Sequence, residues 1–199
     1  MLVFEVMTKD PVTVRPGTSI KEALALLADN HVTALPVATS DGKIRGVVSE
    51  ADLIRELLPR DPRAHEIPQV DDRRRAAVVE DVMSTHPVTV HPETDLAEAV
   101  ELLTSTTVKS VPVVDRQGYL KGVLSRSDIV RLLARADDDI QREVDELLRS
   151  TGLKDWLVDV HDGAVQLLGP EDSDDTLVAR LLAATVPGVL DVSARTAHA

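Results

Sequence analysis

The sequence contains no cysteine, and tryptophan, tyrosine and phenylalanine each occur once in its 199 residues. The first absence excludes disulfides, zinc–thiolate sites and cysteine nucleophiles. It also suits a reducing compartment, and the expected localisation is the cytoplasm. The second absence makes any core aliphatic, drawn from the Val, Leu, Ile and Ala within a hydrophobic fraction of 43%. Such a chain has few rings with which to stack a base or a sugar. No apolar run approaches the roughly 20 residues that cross a bilayer. The opening MLVFEVMTK lacks the basic and apolar regions of a signal peptide.

Basic residues are scarce as well. There are 22 Lys and Arg against 34 Asp and Glu, a net charge of −12. The deficit is local: residues 136–199 hold 5 basic and 14 acidic side chains, whereas 1–135 hold 17 and 20. An acidic segment repels nucleic acid and anionic lipid, so no nucleic-acid partner is expected. Enzyme signatures are also missing. There is no phosphate-binding or dinucleotide glycine loop, no nucleophile elbow, and no metal-ligand spacing among the six histidines. No catalytic residue, metal ligand or cofactor is assigned, and the chain is not expected to be an enzyme.

What the sequence does hold is a repeat. Val6–Leu57 and Val82–Leu133 align without a gap at an offset of 76 residues, with about two positions in five identical. Self-similarity on this scale fixes the architecture. Each copy carries a Pro-Val-Thr-Val segment (11–14, 87–90) rich in β-branched residues, which predicts an extended stretch. Thr18 and Thr94 are candidate helix N-caps. Ile20, Ala23, Leu24 and Leu27, and likewise Leu96, Ala99, Val100 and Leu103, recur at helical spacing. Strands are predicted at 34–38 and 44–48, and at 110–114 and 120–124, each pair joined by a turn containing Gly42 or Gly118. A second helix closes each unit, at 52–57 and 128–134. One unit of some fifty residues can hardly bury both faces of its sheet, whereas two packed face to face can. A pseudo-twofold module with clefts between the copies is expected. The intervening 59–81, with the run Arg73–Arg75, reads as a solvated linker; the sharper alternative is a basic contact to a phosphate or partner.

Gly46-Val-Val-Ser-Glu-Ala-Asp52 and Gly122-Val-Leu-Ser-Arg-Ser-Asp128 resemble the signature of the CBS domain. The Val-Met, Pro-Val-Thr-Val and Pro-Val elements before them resemble it too, over about 1–135. The resemblance implies a CBS-domain pair that often dimerises and binds AMP, ADP, ATP or S-adenosylmethionine between its repeats, regulating something else. A purely structural reading exists for the same residues. Ser-x-x-Asp is a capping-box variant, and a cap stabilises a helix by about 1 kcal/mol. The two readings are compatible, because a helix N-terminus also attracts phosphate and a carboxylate can accept from both ribose hydroxyls.

The resemblance further implies that each site joins the signature of one repeat to elements of the other. One site would use Val47, Ser49 and Asp52 with Met83, Val88, Val108 and Lys109. The second would use Val123, Ser125 and Asp128 with Met7, Val12, Val32 and Thr33. The valines would sandwich the adenine; plain core packing is the competing reading, strongest for Val12 and Val88. Lys109 stands where the other repeat has Thr33, and Arg126 stands where it has Glu50, so each cleft gains one cation in a different place.

Residues 137–196 read as a separate unit. Asp137–Ser150 is an amphipathic helix with Ile140, Val144, Leu147 and Leu148 on one face. Strands follow at 156–161 and 164–168 around Asp162-Gly163, then a helix at 173–185 and a strand at 190–195. This α-β-β-α-β order, with WLVDVHDGAVQLLG, LVARLLAATVPGV and Gly163, Gly169 and Gly188, resembles a BON domain. That resemblance implies attachment to membrane or phospholipid, which the local charge of −9 opposes; protein docking or dimerisation is the competing role. Trp156 reads as a core residue. The fold class is therefore mixed α/β (α+β), divided as 1–58, 59–81, 82–135 and 137–196. The functional expectation is a regulatory adenosyl-ligand sensor, and the alternative is a ligand-free scaffold acting through a dimer and its tail.

Overall fold

Ala34–Ala38, apolar throughout, and Ile44–Ser49 pair as an antiparallel hairpin, β2 and β3, with Leu35 opposite Val48. The second repeat forms the same hairpin from β4 (Ser110–Val114) and β5 (Leu120–Ser125), with Val111 opposite Leu124. The structure is a computed structural model and describes residues 1–57, 76–171 and 174–197. The Arg73–Arg75 run and most of the expected linker lie outside the described residues. The chain divides into two compact units, Leu2–Arg126 and Ser127–Ala199.

In the first unit, α2 (Ile20–Asp29) buries Ile20, Ala23 and Leu27, and α4 (Leu96–Ser105) buries Leu96, Ala99 and Leu103. The caps fall one residue later than expected. Ser19 Oγ accepts from the Glu22 amide at 3.2 Å and Asp95 Oδ1 from the Ala97 amide at 2.8 Å. Thr18 and Thr94 instead accept from the amides of Arg15 and His91, closing the turn before each helix. The Pro-Val-Thr-Val segments are extended but barely join the sheets. Val14 bridges Val37 and Val90 bridges Val113, both parallel. The flanking prolines at 11, 16, 87 and 92 offer no amide with which to extend the ladder.

The feature that the repeat grammar did not reveal is an exchange of lead-ins. The segment that opens repeat one, α1 (Val3–Val6) and β1 (Thr8–Lys9), serves repeat two. The Val3 amide donates to Thr94 O and Phe4 to Pro92 O, both at 3.0 Å, and Thr8 pairs with Val123. Reciprocally, the 3-10 turn Val79–Asp81 serves repeat one. There Val79 donates to Thr18 O at 2.9 Å and Glu80 to Pro16 O at 3.0 Å, while Val47 and Ser84 exchange both backbone bonds at 3.1 and 2.9 Å. Val3 and Val79 are fully buried, each in a repeat other than its own.

The signature glycines make this exchange sterically feasible. A Cβ on Gly46 would lie 2.5 Å from Ser84 O, and one on Gly122 would lie 2.7 Å from both Thr8 O and Met7 Sδ. The hairpin turns meet as well, Ile44 N donating to Gly118 O and Leu120 N to Gly42 O, each at 3.0 Å. Between the hairpins, Pro36, Val47, Pro112 and Val123 close a seam with no room for water.

In the second unit, α5 (Arg126–Leu133) begins at the division between the units and α6 (Asp137–Ser150) follows. Next come β6 (Leu157–His161), β7 (Ala164–Gly169), α7 (Thr176–Ala183) and β8 (Asp191–Thr196). The α-β-β-α-β order is the one read from the sequence, with ends displaced by one to three residues. The sheet runs β6-β7-β8, the last pair parallel. Asp162 and Gly163 take φ of 50° and 73° in the hairpin turn. Both of their amides donate to the Asp137 carboxylate, at 2.8 and 2.9 Å, so the first residue of α6 also fastens this turn. Ile140, Val144 and Leu148 pack with Val165, Leu167, Ala179 and Ala183. Trp156 is 4% exposed and is a core residue, as expected. A Cβ on Gly169 would lie 2.6 Å from its ring.

Gly46→Ala should destabilise the folded protein by about 1–3 kcal/mol, because backbone must yield to the new methyl. Gly17→Ala, which meets nothing within 4 Å, is the control. Urea unfolding of both variants checks this; equal midpoints would mean that the lead-ins do not press on the glycines.

The two repeats build the same β-turn with different acceptors. Thr39 Oγ1 accepts from the Lys43 amide at 3.1 Å, whereas Asp115 Oδ1 accepts from Tyr119 at 2.9 Å and Gln117 at 3.0 Å. The Tyr119 amide, helped by Lys121 and Gln117, holds the Asp115 carboxyl below its usual value. A depressed acid stabilises the fold above its unfolded pKa of about 3.9, and that stabilisation is lost as pH falls through the folded value. In a carboxyl-carbon NMR titration, Asp115 should therefore titrate below an ordinary aspartate, and Asp115→Asn should cost stability at neutral pH but not in strong acid.

Candidate functional site

At the end of β3 the chain turns into α3 (Glu50–Leu57), and the first Ser-x-x-Asp sits on that turn. Ser49 and Asp52 form a closed capping box. Asp52 Oδ2 accepts from the Ser49 amide at 3.0 Å and from its hydroxyl at 2.6 Å, and Ser49 Oγ accepts from the Asp52 amide at 3.3 Å. The serine proton is thus committed to Asp52 Oδ2, and among the described residues Oδ1 accepts no hydrogen bond. The capping reading of the motif is realised.

The exchanged lead-in carries Met83 and Ser84 onto β3, just before this turn. Ser84 pairs with Val47, and Met83 Sδ lies 3.1 Å from where a Gly46 Cβ would be. From repeat two, Lys109 Nζ reaches Glu50 Oε1 at 3.0 Å, next to the half-buried Val108. Val47, Ser49 and Asp52 thus lie along the end of β3 and the start of α3, Met83 lies beside Gly46 of the same strand, and Lys109 reaches Glu50. Val88 is 48% exposed, which rules out plain core packing there.

In the second set, Val123 pairs with Thr8, and Met7 Sδ lies 2.7 Å from a Cβ on Gly122. Val12 is half-buried against the repeat-one core, Val32 is 38% exposed, and the Thr33 carbonyl accepts from the Glu50 amide at 3.0 Å. Ser125 and Asp128 fall on opposite sides of the division into two units. Asp128 is 4% exposed and pairs with Arg131 at 3.2 Å.

The two cations expected to serve the clefts both have partners within the chain. Lys109 is held by Glu50. The Arg126 guanidinium donates to the carbonyls of Leu103 and Thr106 at 2.9 Å and of Val108 at 3.2 Å, so it caps the C-terminal end of α4. Three carbonyls at a helix end satisfy a guanidinium well. The Glu50–Lys109 pair was not foreseen, although aligning the repeats shows opposite charges at two non-equivalent positions.

Another opening, a cavity of about 380 Å³, is lined by Asp10, Thr13, Arg15, Thr39 and Lys121 among others and by none of the fourteen candidate residues. Among the described residues no group of three or more His, Cys, Asp or Glu is placed to hold a metal ion. No described helix is long and apolar enough to cross a membrane.

The exchanged lead-ins and paired signatures define a tandem module, and the comparisons identify its class. The chain belongs to the CBS domain family, whose model matches residues 3–59 and 79–135. CBSX1, a chloroplastic CBS domain-containing protein of Arabidopsis thaliana, is 33% identical over 147 residues, covering 65% of this chain and 62% of CBSX1. The chain thus spans less than two thirds of that relative. A CBS domain-containing protein of Dictyostelium discoideum is 32% identical over 139 residues, covering 68% of this chain and 92% of the relative. Among solved structures, CBSX2 in complex with AMP superposes with a TM-score of 0.56 at 35% identity, over 65% of this chain and 93% of that one. Inosine-5′-monophosphate dehydrogenase of Aquifex aeolicus is 30% identical over 126 residues, only 23% of its length. The resemblance to that enzyme is confined to a minor part of it.

In ligand-free protein, Asp52→Ala should cost about 1 kcal/mol through loss of the capping box. Denaturant unfolding measures it; no change would leave the ligand as the sole reason for the carboxylate.

Proposed function

We propose that this chain is a regulatory protein, not an enzyme, that binds an adenosyl small molecule (AMP, ADP, ATP or S-adenosylmethionine) between its repeats. The first cleft uses Val47, Ser49 and Asp52 with Met83, Val88, Val108 and Lys109. The observation that carries this reading is the lead-in exchange, which pairs Ser84 with Val47 and brings Met83 beside Gly46, while Lys109 reaches from repeat two to Glu50 in the Ser-x-x-Asp turn. Aliphatic surface next to a carboxylate suits a purine ribonucleoside: valine and methionine flank the base and the carboxylate accepts from ribose hydroxyls. That CBSX2 was solved in complex with AMP supports the same reading. Val123, Ser125, Asp128, Met7, Val12, Val32 and Thr33 are proposed as the second set. We also read 137–196 as a BON-like protein-docking domain, and the whole as a cytoplasmic homodimer.

One observation favours a ligand-free scaffold instead. The seam at Pro36, Val47, Pro112 and Val123 is closed, and the capping box satisfies Ser49 internally. Thermal unfolding of nucleotide-stripped protein against AMP, ADP, ATP and S-adenosylmethionine separates the two. A ligand at 100 times its dissociation constant should add about 2.7 kcal/mol, and Asp52→Ala should abolish the shift from the first cleft. No shift with any of the four would favour the scaffold.

A further inference from the structure

We propose that the first cleft selects its ligand by charge: Glu50, tethered from the other repeat by Lys109, excludes adenosyl ligands with an anionic 5′ substituent. The inference rests on the adenosyl reading above and names the ligand class. It is an adenosine derivative whose 5′ group is neutral or cationic, such as a hydroxyl, thioether or sulfonium, rather than a phosphate.

A helix N-terminus carries about half a positive charge and ordinarily welcomes an anion. The first turn of α3 already holds two carboxylates, Glu50 and Asp52, which outweigh it. The Ser49 hydroxyl, the other natural phosphate donor, gives its proton to Asp52 at 2.6 Å. Lys109, the cation assigned to this cleft, stands 3.0 Å from Glu50. A phosphate entering beside Ser49 must take Lys109 from Glu50 and then lie next to the carboxylate it has exposed. A neutral or cationic group leaves the pair intact. With side chains 58% and 43% exposed, the pair contributes little to stability. Nor does the fold require an acid at this position, because its equivalent in repeat two is Arg126, which serves as a helix cap. Glu50 is therefore a specificity-determining residue.

The test is isothermal titration of the full chain, stripped of nucleotide, with adenosine, S-adenosylmethionine and AMP. The first-cleft signal is the component that Asp52→Ala removes. Adenosine and S-adenosylmethionine should bind that cleft at least about tenfold more tightly than AMP, the scale of one charge contact in a partly screened site. Glu50→Lys should reverse the order, and Glu50→Gln should narrow the gap. AMP binding as tightly as adenosine in the wild type, or the same ratio in both Glu50 variants, would overturn the proposal. If no ligand gives an Asp52-dependent signal, the adenosyl reading itself falls and takes this inference with it. An unchanged ligand-free unfolding midpoint shows that each variant is folded; should Glu50→Lys fail that check, Glu50→Gln carries the comparison alone.

Discussion

A backbone-to-backbone contact that only glycine permits governs the first unit. At Gly46 the Ser84 carbonyl, and at Gly122 the Thr8 carbonyl, approach closer than any side chain would allow. The bonds made there, between Val47 and Ser84 and between Thr8 and Val123, complete each repeat's hairpin with a piece of the other. The burial of Val3 and Val79 follows, since both residues sit on the exchanged segments. Each buried valine contributes on the order of 2 kcal/mol. The stability of either repeat is consequently owed in part to residues that precede its partner.

The same constraint assembles the candidate site. Had each lead-in folded back on its own repeat, Ser84 would not pair with Val47, nor would Met83 lie beside Gly46. The charges are less symmetric than the backbone. Where one repeat places Glu50, the other places Arg126, and the two side chains take different tasks: one crosses to Lys109, the other caps α4. A duplicated fold thus carries two signatures with identical Ser and Asp and unlike electrostatics.

Much of this was legible because the sequence states each element twice. Strands 34–38 and 110–114 and helix 137–150 lie where short apolar runs ahead of a turn and amphipathic spacing put them. The caps slipped by one residue because Thr18-Ser19 and Thr94-Asp95 each offer two capping side chains in a row, and only the second reaches the free amides. The lead-in exchange was hidden for a deeper reason. Aligned repeats are equivalent whether a segment packs on its own copy or on the other, so periodicity cannot tell the two arrangements apart. Side-chain assignments were hidden likewise, since Arg126 finds its carbonyls some 20 residues upstream in chain but adjacent in space.

The exchange also bears on ancestry. An interlock in which each half finishes the other does not depend on the order in which the halves are joined, or on their being joined at all. It is the geometry of a twofold dimer made from one short polypeptide, with the linker converting two molecules into one. Once the copies were fused they were free to diverge singly, and positions 50 and 126, which a symmetric dimer would have kept identical, are one of the many pairs in which they differ.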